Sequence, residues 1–368
     1  MTPPGLIVGG ACPFCAGSSR LKSFSLGADN DQSLPRRGLR VHSFRGMKAI
    51  QIHQTGGPEV LQLAELPIPE PGPGQVLIRI EATGVNFIEI YFRKGTYKSS
   101  MPLVPGSEAA GTVEELGPGV VGFEAGDVVV SVSVLGSYAE YALVPAASLV
   151  KVPPGLTMEQ AAAAMMQGMT AHYLSHSTFP LTSDSTALIH AAAGGVGLLL
   201  TQMARRIGAR VIATVSTEEK AELVRDAGAS EVILYTEKEF EPEVKRLTAG
   251  KGVDVVYDSV GKTTFESSLN CLRPRGLLAL FGASSGPVPP FDLIQLSSKG
   301  SLFVTRPTIW HYINTRAELE WRAGDVLDWA AKGELKLRTE YVYPLAEAAQ
   351  AQTDLEARKT TGKILLEP

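Results

Sequence analysis

Residues 186–216 constrain the fold of this chain more than any other stretch. Ala187 to Ile189 is a short apolar run, and His190-Ala191-Ala192-Ala193-Gly194-Gly195-Val196-Gly197 is a small-residue cluster. An amphipathic segment from Leu198 to Arg210 follows, and Val211 to Ser216 is a second apolar run. The order is strand, tight turn, helix, strand, in the length a βαβ unit needs. Ala192, Gly194 and Gly197 fill the three small-residue positions of a G-x-G-x-x-G frame. Gly194 lets backbone approach a pyrophosphate, and Gly197 lets the helix pack close to the strand. Gly195 and Val196 lie inside the frame, where the helix turns its free N–H groups and positive dipole end to the phosphates. A bare glycine frame is weak evidence, but this one has both strands and the helix in place, and it reads as a dinucleotide site.

At 368 residues the chain suits two domains. No apolar run is long enough to span a bilayer. A net charge of -4 and a pI of about 5.9 give no electrostatic reason to expect a nucleic-acid or membrane partner. Three cysteines argue against a disulfide framework and fit a reducing compartment.

Residues 1–46 are rich in Ser, Gly, Pro and Arg and lack a clean period, so this segment is expected to be a disordered extension. Six Lys/Arg against two acids also give it the composition of an organelle transit peptide. The location is then cytoplasmic, or mitochondrial or plastid if the segment is an address. Met47 is a plausible start of the folded protein. Cys12-Pro13-Phe14-Cys15 has redox spacing, but no thioredoxin-like βαβ setting surrounds it, and two cysteines make a poor zinc site.

From Lys48 to residue 170 short strands alternate with Pro/Gly turns. Ala49–His53, Leu61–Leu66, Gln75–Thr83, Ala110–Leu116 and Asp127–Ser133 are the candidates, and they read as a partly closed barrel or sandwich. Asn86 to Arg93 interrupts them as one or two helical turns. Asn86, Tyr91 and the nearby Tyr97 are polar groups leaving a strand end, where a substrate or nicotinamide contact is common. A capping Asn and a half-buried Tyr explain the same residues. Thr157 to Gln160 fits a capping box opening a helix to Ser175. Its later, more polar part carries Gln167 and Thr170.

Residues 171–310 continue the alternation. Strands are expected at Val232–Tyr235, Val253–Asp258, Gly276–Phe281 and Ser301–Thr305, with helices between them. Six strands make a mainly parallel, doubly wound sheet whose ligands sit at the strands' carboxyl ends. Ser259 and Gly261 after one strand, and Phe281 and Gly282 after another, are placed there as cofactor-groove residues. An acid closing the second strand would repel a 2′-phosphate, but here that strand closes with the neutral Thr214-Val215-Ser216. Ser216, Lys220 and Tyr235 can surround a phosphate dianion. Glu218 and Glu219 weigh against it, unless they face solvent as helix N-terminal acids. The balance favours NADPH over NADH. Residues 311–368 carry a helix over Ala317–Ala331, a strand near Arg338–Tyr343, a helix near Leu345–Glu356 and a final strand to Leu366. This mix returns the chain to the first, β-rich domain, where Arg358 can face the cleft or stand on the surface as an ordinary arginine.

Gly84-Val85-Asn86-Phe87-Ile88-Glu89, Pro105-Gly106-Ser107-Glu108-Ala109-Ala110-Gly111, Ala191 to Gly197 and Val256-Tyr257-Asp258-Ser259-Val260-Gly261 occur in this order. With them the span Met47 to Pro368 resembles the zeta-crystallin-like quinone oxidoreductases, the zinc-free branch of the medium-chain dehydrogenase/reductase superfamily. The resemblance implies an α/β chain: a GroES-like catalytic domain built from both ends, with a Rossmann domain inserted. It also implies NADPH as hydride donor, a quinone acceptor and a homodimer. It makes Asn86, Tyr91 and Tyr97 cleft residues beside the nicotinamide. Ser216, Lys220 and Tyr235 become the adenosine-phosphate cradle, and Arg358 a late cofactor contact. Ala283 departs from the polar residue relatives often carry. The zinc alcohol dehydrogenases of the superfamily place a cysteine where this chain has Asn86, and Gly-His-Glu where it has Gly106-Ser107-Glu108. It has no four-cysteine lobe either, so no metal is expected. Reduction of α,β-unsaturated carbonyls on the same scaffold is the alternative activity, and a non-enzymatic nucleotide- or RNA-binding role is the other.

Overall fold

The computed structural model describes residues 45–134 and 136–368. Residues 1–44, with the Cys12/Cys15 pair and nearly all of the expected extension, lie outside the described residues. Strand β1 (Gly46–Gln51) starts one residue before the expected Met47 and pairs antiparallel with β2 (Gln62–Pro67). Then come β3 (Gln75–Val85), α1 (Phe87–Arg93), β4 (Ala109–Leu116), β5 (Val128–Ser131), β6 (Tyr141–Pro145) and β7 (Val150–Lys151). The expected Asp127–Ser133 is a shorter strand, and β6 and β7 were not anticipated; two to five residues carry too little period to stand out.

Helix α2 (Met158–Tyr173) opens on the Thr157 box: Thr157 Oγ1 accepts from the Gln160 N–H at 3.2 Å, and Gln160 Oε1 accepts from the Thr157 N–H at 3.1 Å. Its run of alanines is buried on all sides because the helix is wedged among β3–β5 and two further helices.

The parallel unit is β8 (Thr186–Ile189), α3 (Gly195–Ile207), β9 (Arg210–Val215), α4 (Glu218–Ala227), β10 (Glu231–Leu234), α5 (Phe240–Leu247), β11 (Val253–Asp258), α6 (Phe265–Asn270), β12 (Leu272–Leu280), α7 (Ile294–Ser298) and β13 (Phe303–Thr305). All five strand pairs are parallel, in the order β10-β9-β8-β11-β12-β13. The chain runs outward in one direction from β8 and then returns to continue from β11. The strand order therefore reverses between β8 and β11, and a crevice opens at their carboxyl ends. Val211, Ile212, Ala213, Val255 and Val256 are all fully buried, as expected of a sheet covered on both faces.

The chain closes with α8 (Arg316–Ala331), β14 (Tyr341–Pro344), α9 (Ala348–Glu356) and β15 (Ile364–Glu367). β15 pairs antiparallel with β3, so the last strands join the first sheet in the order β14-β15-β3-β4-β5-β7, with β6 on the side of β3. No helix among the described residues is long and apolar enough to cross a membrane.

Candidate functional site

A cavity of about 940 Å³ opens along the carboxyl ends of the parallel strands and reaches the end of β3. Its middle is the turn after β8. His190 is buried there, its Nδ1 on Thr214 Oγ1 (2.9 Å) and Nε2 on Ser268 Oγ (3.0 Å). Burial holds its pKa below the ordinary histidine value. Ala191 takes a φ of 49° and its carbonyl accepts the Gly194 N–H at 2.9 Å, which starts α3 on a bare glycine N-cap. The first-turn N–H groups of α3 have no partner within the helix and border the cavity at Gly195, Val196 and Gly197.

The glycines have separate reasons. A Cβ on Gly197 would lie 2.6 Å from both Ala191 O and Ala192 Cα, so this glycine serves helix–strand packing. A Cβ on Gly194 would meet only Ala191 O, at 3.1 Å, so there the side chain is missing toward open space. The Gln167 side chain covers Gly195. Ala192, expected in the cradle, does not line it: it is fully buried under Gly197. Gly261, expected in the groove, does not line the cavity either. It is buried at a φ of +88°, with its N–H on Asp258 Oδ1 at 3.0 Å, and the cavity wall beside it is Ser259, Phe281 and Gly282. A Cβ on Gly282 would lie 2.5 Å from Ser259 O, so close approach of the two strand ends fixes that glycine.

One end of the cavity gathers Ser216, Lys220, Tyr235 and Arg358, four residues from three separate parts of the chain. Lys220 Nζ donates to Arg358 O at 2.8 Å, which ties α4 to the loop after α9. The acids that argued against a phosphate here do not line the cavity, and Glu218 faces Arg225 at 2.5 Å. Lys238 lines this end and was missed in the sequence, since it sits in a turn after β10 with no periodic signal.

The other end holds Asn86, Tyr91, Tyr97, Gln167 and Thr170. Tyr91 Oη accepts the Ala283 N–H at 3.0 Å, a contact made by backbone and independent of the side chain at that position. Its own proton stays free to donate into the cavity, and burial raises its pKa further above the ordinary phenol value. The Tyr97 ring meets it edge-on, 5.3 Å between centroids. Asn86 is different from the expected free donor. Its Nδ2 donates to Glu108 Oε2 (3.1 Å) and approaches Gly84 O (3.5 Å), and its Oδ1 accepts from Lys363 Nζ at 2.8 Å. Lys363 also pairs with Glu108, and both side chains are buried. The register explains the meeting: β15, β3 and β4 are neighbours, and Lys363, Asn86 and Glu108 stand at their adjoining ends.

Below them Glu89 accepts the Asn86 N–H (2.7 Å) and the Ser107 hydroxyl (3.0 Å). Burial raises its pKa to about 7 against the opposing pull of Lys363. An acid raised in this way favours the fold while protonated. Its contribution is complete below the ordinary value of 4.5 and is lost as pH rises through about 7. Among the described residues no three His, Cys, Asp or Glu side chains are placed to hold a metal. The space between Asn86 and Glu108 holds the Lys363 ammonium, whose charge would repel a cation there.

Arg306 also lines the cavity and was missed. It directly follows β13, and the rule that ligands sit at strand carboxyl ends could have found it.

Comparison with known proteins agrees with this fold. The family described as alcohol dehydrogenase GroES-like domain matches residues 72–154, and that described as zinc-binding dehydrogenase matches residues 195–329. A quinone oxidoreductase of Pseudomonas aeruginosa is 46% identical over 87% of this chain and 99% of its own length. A 2-haloacrylate reductase of a Burkholderia species is 44% identical over 87% of this chain and 98% of its own. The crystal structure of Escherichia coli quinone oxidoreductase complexed with NADPH superposes with a TM-score of 0.86 at 42% identity, covering 87% of this chain and all of that one. With relatives this similar along nearly their whole length and a parallel sheet of this order, the chain belongs to the quinone oxidoreductase family of the medium-chain dehydrogenase/reductase superfamily.

Proposed function

We propose that the protein is an NADPH-dependent reductase that delivers a hydride to a quinone without a metal. The observation that carries this reading is one continuous cavity with bare backbone in its middle, Ser216, Lys220, Tyr235 and Arg358 gathered at one end and the Tyr91 hydroxyl at the other. Its volume is at the upper end of the roughly 300–1,000 Å³ of ligand pockets. The residues fit a dinucleotide. The open side of Gly194 and the first-turn N–H groups of α3 would receive the pyrophosphate. Lys220, Arg358, Ser216 and Tyr235, with Lys238 beside them, would receive the 2′-phosphate.

NADPH supplies a hydride at its nicotinamide ring when bound. The chain's own contribution is positioning and charge. Hydride arrival leaves negative charge on the acceptor oxygen, and the Tyr91 hydroxyl, pre-set by the Ala283 N–H, donates a hydrogen bond to it. Tyr97 fixes the Tyr91 ring. Asn86 shapes the floor, its Nδ2 donating to Glu108 and its Oδ1 accepting from Lys363, and water completes the hydroquinone with a proton. A second reading, reduction of an α,β-unsaturated carbonyl, is favoured by the similarity to the 2-haloacrylate reductase. A panel of quinones and enones run with both nicotinamides separates the two.

Lys220→Ala is expected to raise the NADPH Kd by about 10- to 100-fold, the loss of a charge-assisted hydrogen bond. The NADH Kd should move by no more than about threefold. Equal losses in fluorescence titrations would reject the phosphate cradle.

The same reading keeps residues 47–170 and 311–368 as one catalytic domain around a nucleotide domain at 171–310. It is supported by the two sheets, since β14 and β15 join β3 and β8–β13 form the other. It also includes a homodimer. β13 is an edge strand, its Phe303 is 60% exposed, and Leu293 and Ile294 at the start of α7 are exposed as well. Two such edges can pair about a twofold axis and bury this apolar patch. Phe303→Asp should therefore convert a dimer into a species of the chain mass, 39.1 kDa, in analytical ultracentrifugation. A wild-type protein that already sediments as a monomer would end this part.

A further inference from the structure

The acceptor end of the cavity carries a cation that the proposed hydride transfer does not use. Arg306 is exposed in the cavity wall just past β13. Its Nη1 donates to Leu280 O, the last residue of β12, at 2.9 Å, and among the described residues no carboxylate pairs with it. Three residues further along that backbone, Ala283 N–H holds the Tyr91 hydroxyl at 3.0 Å. The guanidinium and the phenol are thus anchored on one short stretch at the carboxyl end of β12. The Arg306 charge acts on both Tyr91 and Tyr173, two phenols of the cavity wall, and favours the ionised form of each.

The acids of the cavity do not answer this charge. Glu239 and Glu241 belong to the turn and helix after β10, next to Tyr235, and Glu241 is held by Lys245 (2.5 Å) and Asn270 (3.0 Å). Beneath Asn86 the Glu108–Lys363 pair sums to zero. The proposed phosphate contacts at Gly194–Gly197 and at Lys220 and Arg358 lie on other elements, so the cofactor's phosphates do not call for Arg306. Four guanidinium N–H groups remain, in the planar fork that matches a carboxylate or sulfonate. Phe87, Ile88, Ile309 and Trp310 also line the cavity and give it apolar surface that a flat conjugated ring would pack against.

We propose that Arg306 is a specificity-determining residue that selects acceptors bearing an anionic group, a carboxylate or sulfonate, beside the conjugated carbonyl reduced at Tyr91. This inference rests on the hydride-transfer reading above. The test compares NADPH-dependent reduction of 1,4-naphthoquinone and 1,4-naphthoquinone-2-sulfonate by wild type, Arg306→Gln and Arg306→Lys. Taking the ratio of kcat/KM for the two acceptors across variants cancels their intrinsic reactivities. Arg306→Gln should lower the sulfonate-to-neutral ratio by about 10- to 100-fold, mainly through the sulfonate KM, and Arg306→Lys should restore part of it. Raising salt should narrow the wild-type ratio. Turnover of the neutral quinone with an unmoved ratio would overturn the inference alone. So would equal losses on both acceptors with a matching rise in NADPH Kd, which would assign Arg306 to the cofactor. Failure of wild type to reduce either quinone with NADPH would overturn the functional reading and this inference with it. Arg306 is exposed and makes one backbone hydrogen bond, so matched melting curves will establish that the variants fold.

Discussion

Gly194→Val is expected to abolish NADPH binding in a chain that still folds. The backbone at Gly194 has φ −75° and ψ 170°, an extended conformation that a β-branched residue adopts readily. The new Cβ would meet only Ala191 O, at 3.1 Å, which a shift of a few tenths of an ångström relieves. The isopropyl group would then stand in the cavity in front of the first-turn N–H groups of α3. Each charge-assisted hydrogen bond to phosphate is worth roughly 1.5–3 kcal/mol, so losing two raises Kd by at least about a hundredfold. Fluorescence titration of NADPH together with a melting curve reads both halves of the expectation. Unchanged affinity would remove the turn from the binding site. Gly197→Val is the contrast: its Cβ would strike backbone at 2.6 Å, so that variant should lose the fold itself.

Lys363→Met is expected to cost about 3–5 kcal/mol of stability, because it leaves the Glu108 carboxylate buried without its counter-ion. Both side chains of the pair are almost fully shielded, at 2% and 0% exposure, so solvent cannot take over. Glu108 would keep only the Asn86 amide at 3.1 Å and the Met166 N–H, and Asn86 would lose the donor to its Oδ1. Chemical denaturation measures the loss. Adding Glu108→Gln should recover a large part of it, since that removes the stranded charge. A single-variant loss below about 1 kcal/mol would mean the pair contributes little more than a surface salt bridge.

The two variants separate what was legible in the chain from what was not. The Gly194 turn could be read because its determinants are local. A strand, small residues and an amphipathic helix within thirty residues force one supersecondary unit, and the crevice follows from it. The parallel sheet was legible for the same reason, each strand being an apolar run with a helix before the next. The short strands β6 and β7 were not legible, because so few residues carry no usable period. Residue types alone suggested the phosphate end, but they could not turn Glu218 toward Arg225 or bring Arg358 to Lys220.

The sequence by itself determined the dinucleotide turn, the doubly wound sheet and the neutral end of β9, since each rests on residues close in the chain. Only the tertiary structure decided the floor and wall of the acceptor end. Lys363 reaches Asn86 across 277 residues through the pairing of β15 with β3 and occupies its Oδ1, while the Asn86 Nδ2 donates to Glu108. Tyr91 is set by the Ala283 backbone, 192 residues away, and Arg306 joins the same strand end through Leu280 O. Hydrogen bonds of that span depend on sheet register and on how the two ends of the chain meet, and no local pattern encodes either.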